Sequence, residues 1–132
     1  MGIFKKLLGG GLAFNKVAKS IKYILDNISL YQMYGDIDYV YKAAWLFKYG
    51  VIDSIDKWHW SPFIKIIIPD YHSLGRITLI EVMHIVSGKI ATILKTLADK
   101  EANFVQDIID GGDAYDKVSH LVSTATKNEL RP

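Results

Sequence analysis

Between Arg76 and Ala98, Leu79, Ile80, Met83, Val86, Ile90, Ile93, Leu94 and Leu97 fall on one broad face at ~100° per residue. That period belongs to an α-helix, and it fixes the longest element of the chain. A second such stripe starts earlier: Phe14, Val17, Ala18, Ile21, Ile24, Leu25, Ile28 and Tyr31 recur at three- and four-residue spacing, with Lys16, Lys19, Lys22 and Asn27 between them. Gly35 can take the left-handed conformation that ends a helix, so this element is predicted to stop near Tyr34. Asp36 is placed to cap a second helix running to about Tyr49. Its buried stripe would be Ile37, Val40, Tyr41, Ala44, Trp45 and the apolar stem of Lys48, and Gly50 would close it.

The remaining segments are shorter. Asp53 or Ser54 can open a helix to Trp60, and Ser61-Pro62 sets a capping residue and a first-turn proline ahead of FIKIII. That isoleucine-rich run reads as a helical turn, because no other segment offers a strand to pair with it. Asp99 is placed to cap a continuation through Phe104, Val105, Ile108 and Ile109; Gly111-Gly112 breaks it, Asp113 caps residues 114–126, and the tail KNELRP should fray. The sum is an all-α, single-domain bundle of about five short-looped helices over residues 14–128, preceded by a basic, glycine-containing arm at 1–13. A chain of 132 residues with 50% hydrophobic residues can bury one core of this kind.

Several classes are excluded outright. With no cysteine there is no disulfide scaffold, zinc ribbon, thiol protease or redox motif. Lys, Asp or Asn interrupts every apolar run before the ~18 residues of a membrane span, so an integral membrane protein is not expected. The stretch from Leu7 to Phe14 holds three glycines and is too short for the core of a signal peptide, and Lys6 stands where myristoylation wants Ser or Thr. An intracellular or virion location is therefore expected rather than secretion. The glycines at 9–11 follow no strand and lack both phosphate-loop patterns, which leaves them as a hinge.

Charge is unevenly spread. Residues 1–25 carry Lys5, Lys6, Lys16, Lys19 and Lys22 and no acid, whereas the rest of the chain has more acids than bases. This pattern suits an arm facing an anionic partner, either nucleic acid or an anionic membrane surface. Lysine far outnumbers arginine and aspartate outnumbers glutamate, a mix that AT-rich coding gives and that is compatible with a viral or phage source.

Candidates for chemistry are few. Glu81 and His84 have the E-x-x-H spacing of di-iron bundles, but on the helical wheel both point away from the apolar face, and the similar pair Asp56 and His59 lies in the irregular Trp-rich segment. Asp107, Asp110, Asp113 and Asp116 recur at three-residue intervals. The last two fit a helix start, but Asp107 and Asp110 sit at a helix C-terminus, which prefers cations, so a hard cation or a lysine of a neighbouring copy could balance them. Eleven of the sixteen aromatic residues lie between Tyr31 and Tyr71, and Trp45, Tyr49, Trp58, Trp60 and Phe63 are expected to serve an interface. Ser, His and Asp occur without any context that would organise a triad.

Residues 61–75, SPFIKIIIPDYHSLG, resemble the signature S-P-x-D-L-I-P-D-F-I-P-x-L-G of a family of small bacterial helical proteins of unknown role, without its first aspartate and second proline. The resemblance implies a helical fold and leaves the role open. The sequence thus points to a non-enzymatic structural or assembly subunit, needing no cofactor or metal, that works as a homo-oligomer or within a larger protein assembly. Its alternatives are a peripheral protein docking on a membrane through its N-terminal segment and a small metal-dependent helical enzyme.

Overall fold

The computed structural model describes residues 10–55 and 75–131, of which 10–14 and 75–82 are described by their helical backbone alone. Among the described residues there is no strand: the elements are α1 (Gly10–Tyr34), α2 (Asp38–Leu46), a π-helical segment (Phe47–Ile52), α3 (Gly75–Ala98), α4 (Ala102–Ile109), α5 (Asp113–Val118) and α6 (Thr124–Glu129). Short 3-10 turns at Asp99–Glu101 and Ser119–Leu121 join α3 to α4 and follow α5. The fold is an all-α bundle.

α2 is its centre. Val40, Ala43, Ala44, Trp45 and Leu46 are buried, and α1, α3, α4 and α5 all pack against this helix. A helix covered on so many sides must be apolar nearly all round, and α2 is, with small Ala43 and Ala44 admitting its neighbours. The core extends through Ile24 of α1, Phe47 and Val51 of the π segment, Leu94 of α3, and Val105 and Ile108 of α4.

Both ends of the first two helices follow local chemistry. Gly35 takes φ 72° and its N–H donates to Tyr31 O at 2.7 Å, which closes α1 with a left-handed residue. Asp36 Oδ1 then accepts the N–H of Asp38 at 2.9 Å and satisfies an otherwise orphan donor at the start of α2.

Five expectations are corrected. α1 begins at Gly10, so Gly10 and Gly11 are helical rather than a hinge, carried by the long helix that follows. Gly50 does not end a helix; it lies inside the π segment, against α1. Residues 113–126 are not one helix, because the chain turns extended at Val122, and Ser123 caps α6 by accepting the N–H of Thr126 at 3.1 Å. The tail is anchored, not frayed: Leu130 is 1% exposed, and the Tyr23 hydroxyl donates to the Glu129 carboxylate. Asp99, expected as an N-cap, instead takes φ 51° directly after α3 and acts as its left-handed terminator.

Candidate functional site

A cluster of aromatic and basic side chains surrounds the π segment. Trp45 stacks on Tyr49 with ring centroids 4.8 Å apart, and on Tyr115 of α5 at 5.2 Å with planes 9° apart. Lys16 Nζ lies 4.4 Å from the Tyr49 centroid and Lys127 Nζ 5.3 Å from that of Trp45, both within range of a cation–π contact. Burial pushes the Tyr115 phenol up to about 12, with Asp53, Tyr49 and Asp116 adding to the effect. Trp45, expected at an interface, is 3% exposed and its indole Nε1 is buried without an acceptor, while Tyr49 is half-buried. Their stacking joins α2, the π segment and α5. Trp58, Trp60 and Phe63, expected beside them, lie outside the described residues, as do Asp56 and His59.

An i→i+5 ladder explains a pair that sequence reading missed. Lys48 Nζ and Asp53 Oδ1 are 2.8 Å apart, and the N–H of Asp53 bonds to Lys48 O. In an α-helix, residues five apart point ~140° away from each other. The π register stacks them instead, and π segments are rare enough that the sequence carries no period for them.

Ser119 and Lys127 also meet. Lys127 Nζ lies 3.0 Å from Ser119 Oγ while facing the Trp45 ring, which ties α6 to the end of α5 and to α2. A cavity of about 180 Å³ lies between α1, α2 and the C-terminal turn. Within its polar lining, Asn27 Nδ2 donates to Tyr23 O at 2.8 Å, Ser123 Oγ donates to Thr126 Oγ1 at 2.9 Å, and Lys42 Nζ lies 5.2 Å from the Tyr39 ring centroid.

The aspartate run resolves into structure. Asp107 Oδ2 accepts the N–H of Ala114 at 2.8 Å, so the acid at the end of α4 caps α5, the role expected of Asp113. The close fit requires Gly112, where a Cβ would stand 2.2 Å from Asp107 Oδ1. Asp110 Oδ1 accepts from Gln106 Nε2 at 2.9 Å, and Asp113 and Asp116 lie in the first turn of α5. Among the described residues no group of three or more His, Asp or Glu could hold a metal ion.

The basic residues of α1 separate by position. Lys19 and Lys22 are exposed, Lys16 is half-buried over Tyr49, and Lys5 and Lys6 lie outside the described residues. His84 is exposed on α3.

The outer surface carries the least expected feature. Leu25, Met33 and Tyr34 of α1 are 56%, 68% and 67% exposed, and Ile85 and Ile93 of α3 are 59% and 47% exposed. Ile85, Gly88, Lys89, Thr92 and Ile93 border an open hollow of about 560 Å³. Ile93 and Leu25 were expected in the core. The signal for two others was present in the periodicity, since Ile85 falls ~135° from the centre of the α3 stripe and Met33 ~130° from that of α1. None of the described helices is long and apolar enough to cross a membrane. Comparison of the chain with protein-family models, with curated proteins and with solved structures gave no match.

Proposed function

We propose that this chain is a non-enzymatic assembly subunit that works by self-association, with the basic N-terminal part of α1 contacting an anionic partner. The observation that carries the reading is the set of five large apolar side chains facing solvent on α1 and α3. A small domain that has buried Ile24, Phe47, Leu94 and Ile108 completely can place apolar residues inside, and those left outside are available to a partner. The aromatic cluster and the aspartate run support the same reading from the opposite direction, because their groups among the described residues are engaged in packing and capping.

Lys19 and Lys22 extend the argument to charge. They project from a stretch with no acid before Asp26, which stands one helical turn after Lys22 and leaves Lys19 the less compensated of the two. Gel filtration coupled to light scattering tests the assembly, with the full chain compared with a form lacking residues 1–11 at low and high salt. A mass above the monomer that falls on truncation or with salt is expected; a monomer in every condition contradicts the reading. The anionic contact is tested on a heparin column, where Lys19→Glu together with Lys22→Glu should elute at lower salt than the parent chain. Identical elution would remove α1 from that role.

A further inference from the structure

We infer that the cavity between α1, α2 and the C-terminal turn is a binding site for a small organic monocarboxylate, with Lys42 as the cation that pairs with it. The inference goes beyond self-association and does not depend on it.

Three elements bring the polar groups together. Asn27 comes from α1, Lys42 from α2 and Thr126 from α6, and all three line the cavity half-buried. Each keeps a donor that the fold does not use. Asn27 Nδ2 gives one N–H to Tyr23 O at 2.8 Å, which fixes the orientation of the amide and leaves its second N–H. Ser123 Oγ accepts the N–H of Thr126 and donates to Thr126 Oγ1 at 2.9 Å, so the hydroxyl proton of Thr126 is left over. Lys42 Nζ has the Tyr39 ring at 5.2 Å, and among the described residues it meets neither a carboxylate nor a carbonyl.

Charge and size set the ligand class. The unused groups are mainly donors and one of them is a cation, which is the complement of a carboxylate. The acids nearby oppose a second negative charge: Asp38 stands one turn before Lys42, Asp26 stands beside Asn27, and the Glu129 carboxylate accepts from the Tyr23 hydroxyl, although none of the three lines the cavity. Lys22, His120 and Lys127 are the bases at adjoining positions, and none of them lines it either; Lys127 reaches instead to Ser119 Oγ and the Trp45 ring. One ammonium without a guanidinium fork suits a monoanion better than phosphate. Leu46, Leu121 and Val122 supply the apolar part of the wall, so the ligand carries a hydrocarbon end. The volume of about 180 Å³ lies below the ~300 Å³ at which sites for drug-sized ligands begin, which keeps that end to a few carbons.

Titration of the ¹⁵N-labelled full chain with sodium butyrate tests this, with ionic strength held constant by sodium chloride near neutral pH. Saturable shifts of the Asn27, Lys42 and Thr126 amides are expected, with a Kd on the order of 1 mM. Butylamine, which has the same chain and the opposite charge, should not shift them, a comparison that needs no variant. Lys42→Met keeps the apolar stem and should weaken butyrate at least about tenfold, and Thr126→Val about threefold or more. Lys100→Met, at an exposed position outside the cavity, should leave binding unchanged, and circular dichroism checks that each variant is folded. Absence of shifts at the three amides up to about 50 mM butyrate, or a folded Lys42→Met chain that binds as tightly as the parent, would overturn the site. Butylamine binding as well as butyrate would overturn the pairing with Lys42, and inorganic phosphate binding more tightly than butyrate would overturn the ligand class.

Discussion

Gly50 has the least room of the described glycines, and Gly50→Ala should destabilise the bundle although alanine is the better helix former. A Cβ at this position would stand 1.8 Å from Ser20 Oγ and 2.5 Å from Ser20 Cβ. Rotating the serine hydroxyl away would break its 2.7 Å bond to Lys16 O and leave the Cβ collision in place, so backbone must move. Over-packing of this sort costs about 1–3 kcal/mol, and the gain in helix propensity returns roughly 0.5–1 kcal/mol. A net loss of ~1–2 kcal/mol corresponds to a fall in Tm of roughly 4–10 °C for a domain of this size. Thermal and urea unfolding followed by circular dichroism would measure it. Ser20→Ala should not rescue the variant, because the two Cβ atoms still collide, whereas Ser20→Gly should recover at least ~1 kcal/mol of coupling in a double-mutant cycle. A Gly50→Ala chain as stable as the parent, or no coupling to Ser20→Gly, would refute the argument that this contact sets the position of the π segment.

Other consequences follow from the capping and titration chemistry. Asp107→Ala should cost about 1 kcal/mol through the lost cap on Ala114, and Gly112→Ala a similar amount; the two should be strongly non-additive in urea titrations, because both remove the same hydrogen bond. Asp99→Gly should raise stability by roughly 0.5–1 kcal/mol in the same assay, since Asp99 holds φ 51° where glycine is unstrained. Alkaline pH should destabilise the fold, since the Tyr115 phenol is pushed from 10.0 to about 12 and Tyr23 and Tyr41 are also raised, by the bond to Glu129 and by burial respectively. The native state then holds protons the unfolded chain has lost, so stability present below pH 10 falls as pH rises towards 12. Tyr115→Phe should remove the last-ionising phase of the tyrosinate absorbance titration.

The fold was legible wherever a single helical period ran for several turns. α1 and α3 follow their stripes, and Gly35 ends α1 as its chemistry requires, because these features depend on neighbours in sequence. Legibility failed where tertiary contact decides. Gly50 reads as a terminator until Ser20 is placed beside it, and Asp107 reads as a misplaced acid until the chain reverses at Gly111 and Gly112 and brings Ala114 within its reach. Lys48 and Asp53 could not be paired from sequence, since their contact needs a π register that α-helical counting forbids. Aromatic density suggested an interface, but stacking of Trp45 between Tyr49 and Tyr115 spends that part of it inside the bundle. The outward apolar residues were partly readable: Met33 and Ile85 are off-stripe by simple counting, whereas Leu25 and Ile93 lie at stripe edges, where neighbouring helices alone determine exposure.

Sedimentation velocity of the full chain, from micromolar to near-millimolar concentration at low ionic strength, decides whether the chain self-associates. The account predicts a weight-average sedimentation coefficient that climbs with concentration and drops when salt is added, as an apolar contact with a charged rim requires. One sharp boundary at the monomer value, unchanged over the whole range, would contradict it.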